Sequence, residues 1–351
     1  MKKFSIIIAL ILTMSLLISC GNSANDVDTN DEVVEQESEA VEVESQEAED
    51  AETDDSQVAA DMFEIGVIQL APHAALDSGY EGFVDGLAER GFVEGENLTI
   101  DYNNAQGDQS NATTIAQKIV NANPNLIFAI ATPAAQAVAN QTTEIPIVIT
   151  AVTDAAMSGL VNSNDKPETN VTGTSDLTPV KEQMELIQEI LPEAKSVGVI
   201  FNSSEDNSLI QAEMAQEKLE ELGIEYLELT VSKTDEISQV VQSAMGKVDA
   251  IYTPTDNLIS ANMTAVTNIT TPAGVPVICG EAAMLEGGGL LTYGIDYYEL
   301  GKQSGHMAAD ILEGKSTPQE MAIQTITEPI FEVNQELADE LGIEIPAKYL
   351  E

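Results

Sequence analysis

The residues best able to do chemistry in this chain do not form one motif. They follow short apolar runs, one polar group at a time. Gln69 leads into Leu70-Ala71-Pro72-His73, Thr132-Pro133-Ala134-Ala135 follows the apolar stretch 126–131, and Thr150, Thr153 and Asp154 follow 145–149. Further along, Asn202, Glu205, Asn207 and Ser208 follow 196–201, Thr255-Asp256-Asn257 follows 249–252, and Gly280-Glu281 follows 275–279. Two kinds of binding chemistry can be read from them. Thr132 can cap a helix with Pro133 at its first position, where no N–H is needed. The N–H groups of Ala134 and Ala135 would then point out of the helix start beside the Thr132 hydroxyl, a setting that favours an anion such as a carboxylate. The alternative there is a plain capped helix. Asp256 and Glu281 can receive an ammonium group through charge-assisted hydrogen bonds, with Asp256 the first choice. Asp256 fits equally well as the cap of a helix opening at Asn257.

Catalytic constellations are missing. There is no Gly-x-Ser-x-Gly and no P-loop, and the run Glu286-Gly287-Gly288-Gly289-Leu290 precedes an apolar stretch, so it reads as a turn. His73 has no Ser or Cys nucleophile near it in sequence, which leaves it as a binding or surface residue. Residues 62–351 hold one cysteine, Cys279, and two histidines, His73 and His306, far apart. That set builds no zinc site, and no metal or other cofactor is expected. Cys279 lies in the apolar run 275–279 and reads as a buried structural thiol with no disulfide partner.

Helices and strands in alternation must position these groups. Apolar runs at 63–69, 98–102, 126–131, 145–149 and 171–174 read as strands, separated by amphipathic segments. Ser78 and Glu81 read as a capping box that opens one of these helices, and Thr178-Pro179 as the start of another, with Pro179 in its first turn. The pattern then restarts, with strands at 196–201, 225–229, 249–252 and 275–279. Strands alternating with helices imply parallel, right-handed crossover units, and two series imply two doubly wound α/β lobes. In such sheets ligands bind beyond the carboxyl ends of the strands, where the polar groups described above fall.

The amino terminus and the charge set the location and limit the partners. Met1-Lys2-Lys3 precedes an apolar stretch from Phe4 to Ile18, which is too short to span a bilayer. Leu17-Ile18-Ser19-Cys20-Gly21 resembles the lipobox of bacterial lipoproteins, which implies a signal peptide over 1–19 and a lipid on Cys20. Of the 40 residues 22–61, 16 are Asp or Glu and none is Lys or Arg, so 20–61 reads as a lipidated cysteine on a disordered acidic tether. The expected location is the extracytoplasmic face of the cell membrane. The whole chain carries 60 acidic against 13 basic residues, a net charge of −47, which argues against nucleic acid as a partner.

From Phe63 to the end the chain resembles the solute-binding proteins of ABC transporters with the type I periplasmic-binding fold, in the branch associated with tryptophan and tyrosine uptake. The resemblance is carried by Ile65-Gly66-Val67-Ile68-Gln69, Gly82-Phe83-Val84-Asp85-Gly86-Leu87-Ala88-Glu89-Arg90-Gly91 and Ala131-Thr132-Pro133-Ala134-Ala135-Gln136-Ala137. Gly198-Val199-Ile200-Phe201-Asn202, Tyr252-Thr253-Pro254-Thr255-Asp256-Asn257 and 293–303 carry it further. Ser203 departs from the pattern, which has a proline there. The resemblance implies two lobes joined by three crossing strands near Asp176, Ile295 and Glu328, one lobe formed by 62–175 with 296–328 and the other by 176–295 with 329–351. It also implies hinge closure over a small solute, an amino acid with the aromatic ones among the candidates, its carboxylate at Thr132 to Ala135 and its ammonium at Asp256; with the strand-end positions the expected binding residues are Gln69, Thr132, Ala134, Ala135, Asp154, Asn202, Asn207, Ser208, Thr255, Asp256, Asn257 and Glu281. The partners implied are an ABC permease with its cytoplasmic ATPase, and the binding protein itself is expected to be a monomer. A nucleoside or sugar receptor of the same fold, or a protein presenting its ligand to a membrane sensor, are the alternatives. The absence of tryptophan weakens the first, because such sites stack their ligand on aromatic rings.

Overall fold

Two series of strand–helix units build two separate sheets. A computed structural model describes residues 62–326 and 328–350; the expected signal peptide over 1–19, the expected lipid site at Cys20 and the expected tether to residue 61 lie outside the described residues. The first series runs β1 (Phe63–Gln69), α1 (Ala74–Glu89), β2 (Leu98–Asn104), α2 (Gln109–Ala122), β3 (Leu126–Ile130), α3 (Thr132–Ala139), β4 (Ile147–Val152) and β5 (Val171–Ser175). The second runs α4 (Val180–Ile190), β6 (Ser196–Asn202), α5 (Asp206–Leu222), β7 (Glu225–Val231), α6 (Thr234–Ala244), β8 (Ala250–Thr253), α7 (Asn257–Ser260), α8 (Met263–Thr270), β9 (Val277–Cys279) and β10 (Leu291–Gly294). The chain closes with α9 (Tyr297–Leu312), β11 (Gln324–Thr325), β12 (Ile330–Val333) and α10 (Gln335–Leu341).

The first sheet has the order β11-β5-β4-β3-β1-β2 and the second β12-β10-β9-β8-β6-β7. All pairings are parallel except β10 with β12. The expectation of two doubly wound parallel-sheet lobes is borne out. The chain passes between the sheets three times: after β5, between β10 and α9, and between β11 and β12. In each sheet the strand order reverses once, between β1 and β3 and between β6 and β8. The loops after those strands flank a crevice at the carboxyl edge, the usual ligand position in open parallel sheets.

Several local expectations are corrected. Helix α1 starts a turn earlier than the Ser78–Glu81 capping box, with His73 in the cap position and Asp77 in the first turn. Ala74 and Ala75 are strong helix formers directly after the cap residue His73, so the helix starts there and Ser78 falls inside it. Thr132 is the first residue of α3, and Ala131 takes the cap position at φ 82°. Pro179 occupies the cap of α4 rather than its first turn. Strand β4 starts at Ile147 because Pro146 has no N–H for the ladder. Ser203 donates its backbone N–H to Val231 O (2.9 Å), a bond that proline in its place would forbid.

The first core stacks the Phe83 and Phe128 rings at 3.6 Å beneath α1. Helices α1 and α9 lie side by side against it, so close that a Cβ on Gly82 would collide with the Tyr298 carbonyl and one on Gly301 with the Gly79 carbonyl. Both obstacles are backbone and cannot rotate away. Gly301→Ala is therefore expected to destabilise the protein by at least about 1–3 kcal/mol, the usual cost of overpacking. Urea denaturation measures this, and a wild-type midpoint would show that the two helices can separate without cost.

Candidate functional site

The loops at the carboxyl edges of the two sheets meet face to face. Between them lies a narrow, nearly closed cleft. His73, Leu76 and Ala151 line it from the first sheet, Asn207, Thr255, Asp256, Asn257, Ser260 and Glu281 from the second, and Asp176 and Tyr297 from the first two crossings. A wider groove opens beside it past Asn202 and Glu205 and shares Asn257 with it.

Four carboxylates are buried around this cavity: Asp176, Glu205, Asp256 and Glu281, between 1% and 4% exposed. Burial pushes Asp176 up to about 6 and Glu281 up to about 7. Glu205 rises to about 7 through burial and the nearby charge of Asp256, and Asp256 itself is raised by burial. None of the four is ion-paired; the ion pairs among the described residues all lie elsewhere. Buried charges without a counter-ion are costly, and a cation brought beside these carboxylates would relieve that cost.

Their hydrogen bonds separate structural from available groups. Both Asp256 oxygens are taken: Oδ1 accepts from Ile259 N–H (2.8 Å) and caps α7, and Oδ2 accepts from Asn202 N–H (2.5 Å) and the Ser208 hydroxyl (2.7 Å). Ser208 thus stands behind the cavity wall, supporting Asp256. Glu205 accepts from the side-chain amides of Asn202 (2.8 Å), Asn207 (3.3 Å) and Asn257 (2.6 Å). Glu281 accepts one bond on each oxygen, from the Ser260 hydroxyl (2.5 Å) and Ala283 N–H (2.6 Å). Of Asp256 and Glu281, Glu281 therefore keeps more free acceptor capacity. Asn207 commits its Nδ2 to Glu205, Ser208 and the Thr255 carbonyl, while its buried Oδ1 has no partner.

At the start of α3, the Thr132 hydroxyl is buried with no partner. Ala135 N–H is bonded to Ala131 O (3.0 Å), so of the two N–H groups expected to be free only that of Ala134 lacks a backbone acceptor. Ala131 N–H reaches Thr150 O (3.1 Å), which sets this helix start beside Ala151 and the cavity. Ala131 (φ 82°) and Ala151 (φ 54°) both hold left-handed backbone, and β4 is bulged at Ala151. Strain of this kind gathers where backbone groups are aimed at a ligand. Gln69 is buried at the end of β1, its Nε2 donating to Ala71 O (2.8 Å) and Asp77 Oδ1 (2.6 Å) and its Oε1 unpartnered. Asp154 turns away from the cavity. Its Oδ1 caps its own loop by accepting from Met157 N–H (2.9 Å) and the Asn164 amide (3.1 Å), so a place among the binding residues is not supported.

The twelve expected binding residues leave out Asp176, Ser260 and Tyr297, and also Glu205 and His73, although both of these stand among the polar groups after strands. Asp176 and Glu205 follow strand ends, the position that singled out the others. Tyr297 and Ser260 lie on helices, and no local signal marks them. His73 bridges the two sides, its ring nitrogens 3.4 Å from Asn257 Oδ1 and from the Ser260 hydroxyl. It keeps some surface exposure, yet both lobes crowd its ring, and this desolvation draws it down to about 4. At the rim Gln136 Nε2 reaches Asp206 Oδ2 (2.7 Å) and Gln109 Nε2 reaches Ser204 O (3.2 Å), so the lobes are closed on each other.

Residues 64–351 match the family described as ABC transporter substrate binding protein, and the chain belongs to it. It is the solute-binding component of an ABC transporter, of the type I periplasmic-binding fold. The chain is 39% identical over 280 residues to the tyrosine-binding protein of Clostridioides difficile (strain R20291), covering 80% of this chain and 81% of that one. A Streptococcus pneumoniae domain solved in complex with L-Trp is 37% identical, with a TM-score of 0.80 over 82% of this chain and 97% of that one. A ligand-free, open substrate-binding protein with adhesive properties from Clostridium difficile is 41% identical over the same shares, yet its TM-score is 0.64. Sequence distance does not explain that drop; the closed lobes of this chain do. Two solute-binding proteins at 16% and 17% identity share the fold alone. No described helix is long and apolar enough to cross a membrane.

The raised acids have a consequence for stability. A group whose folded pKa exceeds its unfolded value stabilises the fold fully below the unfolded value and loses that contribution as pH rises through the folded one. For Glu281 the window runs from its ordinary 4.5 to about 7. Without added ligand, Glu281→Gln should raise Tm at pH 8 by about 2–4 °C and leave it nearly unchanged at pH 4.5. A variant less stable than wild type at pH 8 would show that ionised Glu281 is held by its surroundings and not merely tolerated.

Proposed function

We propose that this protein captures an aromatic amino acid, L-tyrosine or L-tryptophan, in the closed cleft and delivers it to an ABC permease driven by a cytoplasmic ATPase. The observation that carries the amino-acid reading is the set of buried carboxylates without a protein cation around one small cavity, which calls for an ammonium group. Glu281 and Asp176 are its principal partners, with Asn207 Oδ1 as a further acceptor; Asp256 and Glu205 act mainly through the hydrogen bonds that shape the wall. The ligand carboxylate goes to the start of α3, where the Thr132 hydroxyl and Ala134 N–H offer donors. The names of the relatives support the aromatic side chain. In this reading residues 62–175 with 296–328 and residues 176–295 with 329–351 are the two lobes. The lipid on Cys20 and the acidic tether hold a monomeric binder on the outer face of the membrane, at high effective concentration near its permease.

Binding an ammonium favours the ionised form of Glu281, so association should release protons near neutral pH. Affinity should weaken roughly tenfold from pH 7.5 to pH 6, as Glu281, raised to about 7, takes up a proton. His73, drawn down to about 4, stays neutral across that range. Titration calorimetry with L-tyrosine and L-tryptophan, in buffers of different ionisation enthalpy, reads both effects. No binding of either amino acid would refute the aromatic reading, and binding with no proton release would remove Glu281 from the ammonium site.

A further inference from the structure

A chain of hydrogen bonds runs through the hinge beside the cavity. Gln211 Nε2, on α5 of the second lobe, donates to Thr153 Oγ1 of the first lobe (3.2 Å). The Thr153 hydroxyl in turn donates a hydrogen bond to Asp176 Oδ1 (3.2 Å). The Tyr297 hydroxyl donates to Asp176 Oδ2 (2.7 Å). Asp176 lies one residue after β5 in the first crossing, and Tyr297 opens α9 just after the second. One carboxylate therefore ties together two of the three crossings and, through Thr153 and Gln211, both lobes. Asp176 is only 3% exposed and Tyr297 only 7%. Both also face the cavity.

This arrangement puts two opposing free-energy terms on one residue. Closing the lobes buries the Asp176 charge, which penalises closure while no cation is beside it. Of the three hydrogen bonds in the chain, the one from Gln211 to Thr153 passes between the lobes and favours closure, and the two to Asp176 hold Thr153 and the crossings in place for it. A ligand shifts such an equilibrium only by binding one state better than the other. A cation placed against Asp176 does so, because it cancels the burial penalty in the closed state alone.

We propose that Asp176 and Tyr297 form a clasp through which the cationic end of the ligand sets the lobe angle. This rests on the reading of the cleft as an ammonium site. Tyr297 is a positioning residue: it holds Asp176 toward the cavity and joins the crossings. The two residues have opposite effects on the protein without ligand. Tyr297→Phe frees Asp176 from the hold that keeps Thr153 aligned with Gln211 and leaves the charge in place, so the lobes open further. Asp176→Asn removes the charge and keeps an acceptor, so the lobes close more.

Small-angle X-ray scattering of the full chain without added amino acid measures this. The radius of gyration should rise for Tyr297→Phe and fall for Asp176→Asn, relative to wild type. A purely structural role would move both in the same direction, and that result, or no change in either, overturns the clasp. With L-tyrosine or L-tryptophan added, Tyr297→Phe should bind about tenfold more weakly than wild type, the scale of one hydrogen bond to a charged group. Wild-type affinity in that variant also overturns the clasp. If wild type itself binds neither amino acid, the aromatic reading falls, while the scattering of the two variants still judges the clasp.

Discussion

Charge buried without its complement governs this molecule. Asp176, Glu205, Asp256 and Glu281 sit in the closed cleft with side-chain and backbone donors around them and no lysine or arginine among the described residues in contact. Hydrogen bonds lower the cost of that burial and do not abolish it, and the upward shifts of all four acids record what is left over. A hydrophobic replacement of similar volume would favour folding more. Retaining the acids fits the proposed role, in which an ammonium group is held in the closed cleft and released when it opens.

The rest of the fold serves that cleft. Each sheet reverses its strand order once, and the two reversals face each other, so the loops after β1, β3, β6 and β8 converge. The bulge at Ala151 and the left-handed Ala131 aim backbone groups from the first sheet, while the caps of α5 and α7 present side chains from the second. The glycine contacts between α1 and α9 bring α9 back onto the first sheet, so that the second crossing, with Tyr297, is anchored at the cavity edge. The preference for the L-Trp complex over the open relative in overall shape agrees with the bonds that cross the rim. A binding protein of this kind alternates between two lobe angles, and the hinge is where ligand charge and lobe angle can be coupled.

Much of this was legible in the linear chain, because it depends on local periodicity. Apolar runs of strand length, Gly223 closing α5 in the left-handed region, and polar groups after each strand identify two doubly wound lobes and the edge on which a ligand binds. Asn207, Thr255, Asp256, Asn257 and Glu281 could be named from that rule alone, and all five line the cavity. Asp154 obeyed the same rule and caps its own turn instead, since a carboxylate after a strand serves a loop as readily as a ligand. The Ser78–Glu81 pair fitted a capping box as well as any, but Ala74 and Ala75 start the helix before it.

The sequence by itself determined the alternation of elements and the acidic chemistry of the strand ends, because these follow from side-chain type and spacing along one segment, and its resemblance to a known family pointed to the class of protein. Only the tertiary structure decided which acid is spent and which is available. Asp256 and Glu281 look alike in sequence, yet three donors from separate segments saturate Asp256 and leave Glu281 with room. Likewise the meeting of Asp176 with Tyr297, 121 residues apart, depends on two crossings that no local pattern can bring together. Hydrogen-bond occupancy and burial are properties of neighbours in space, and those neighbours exist only once the two sheets have closed on each other.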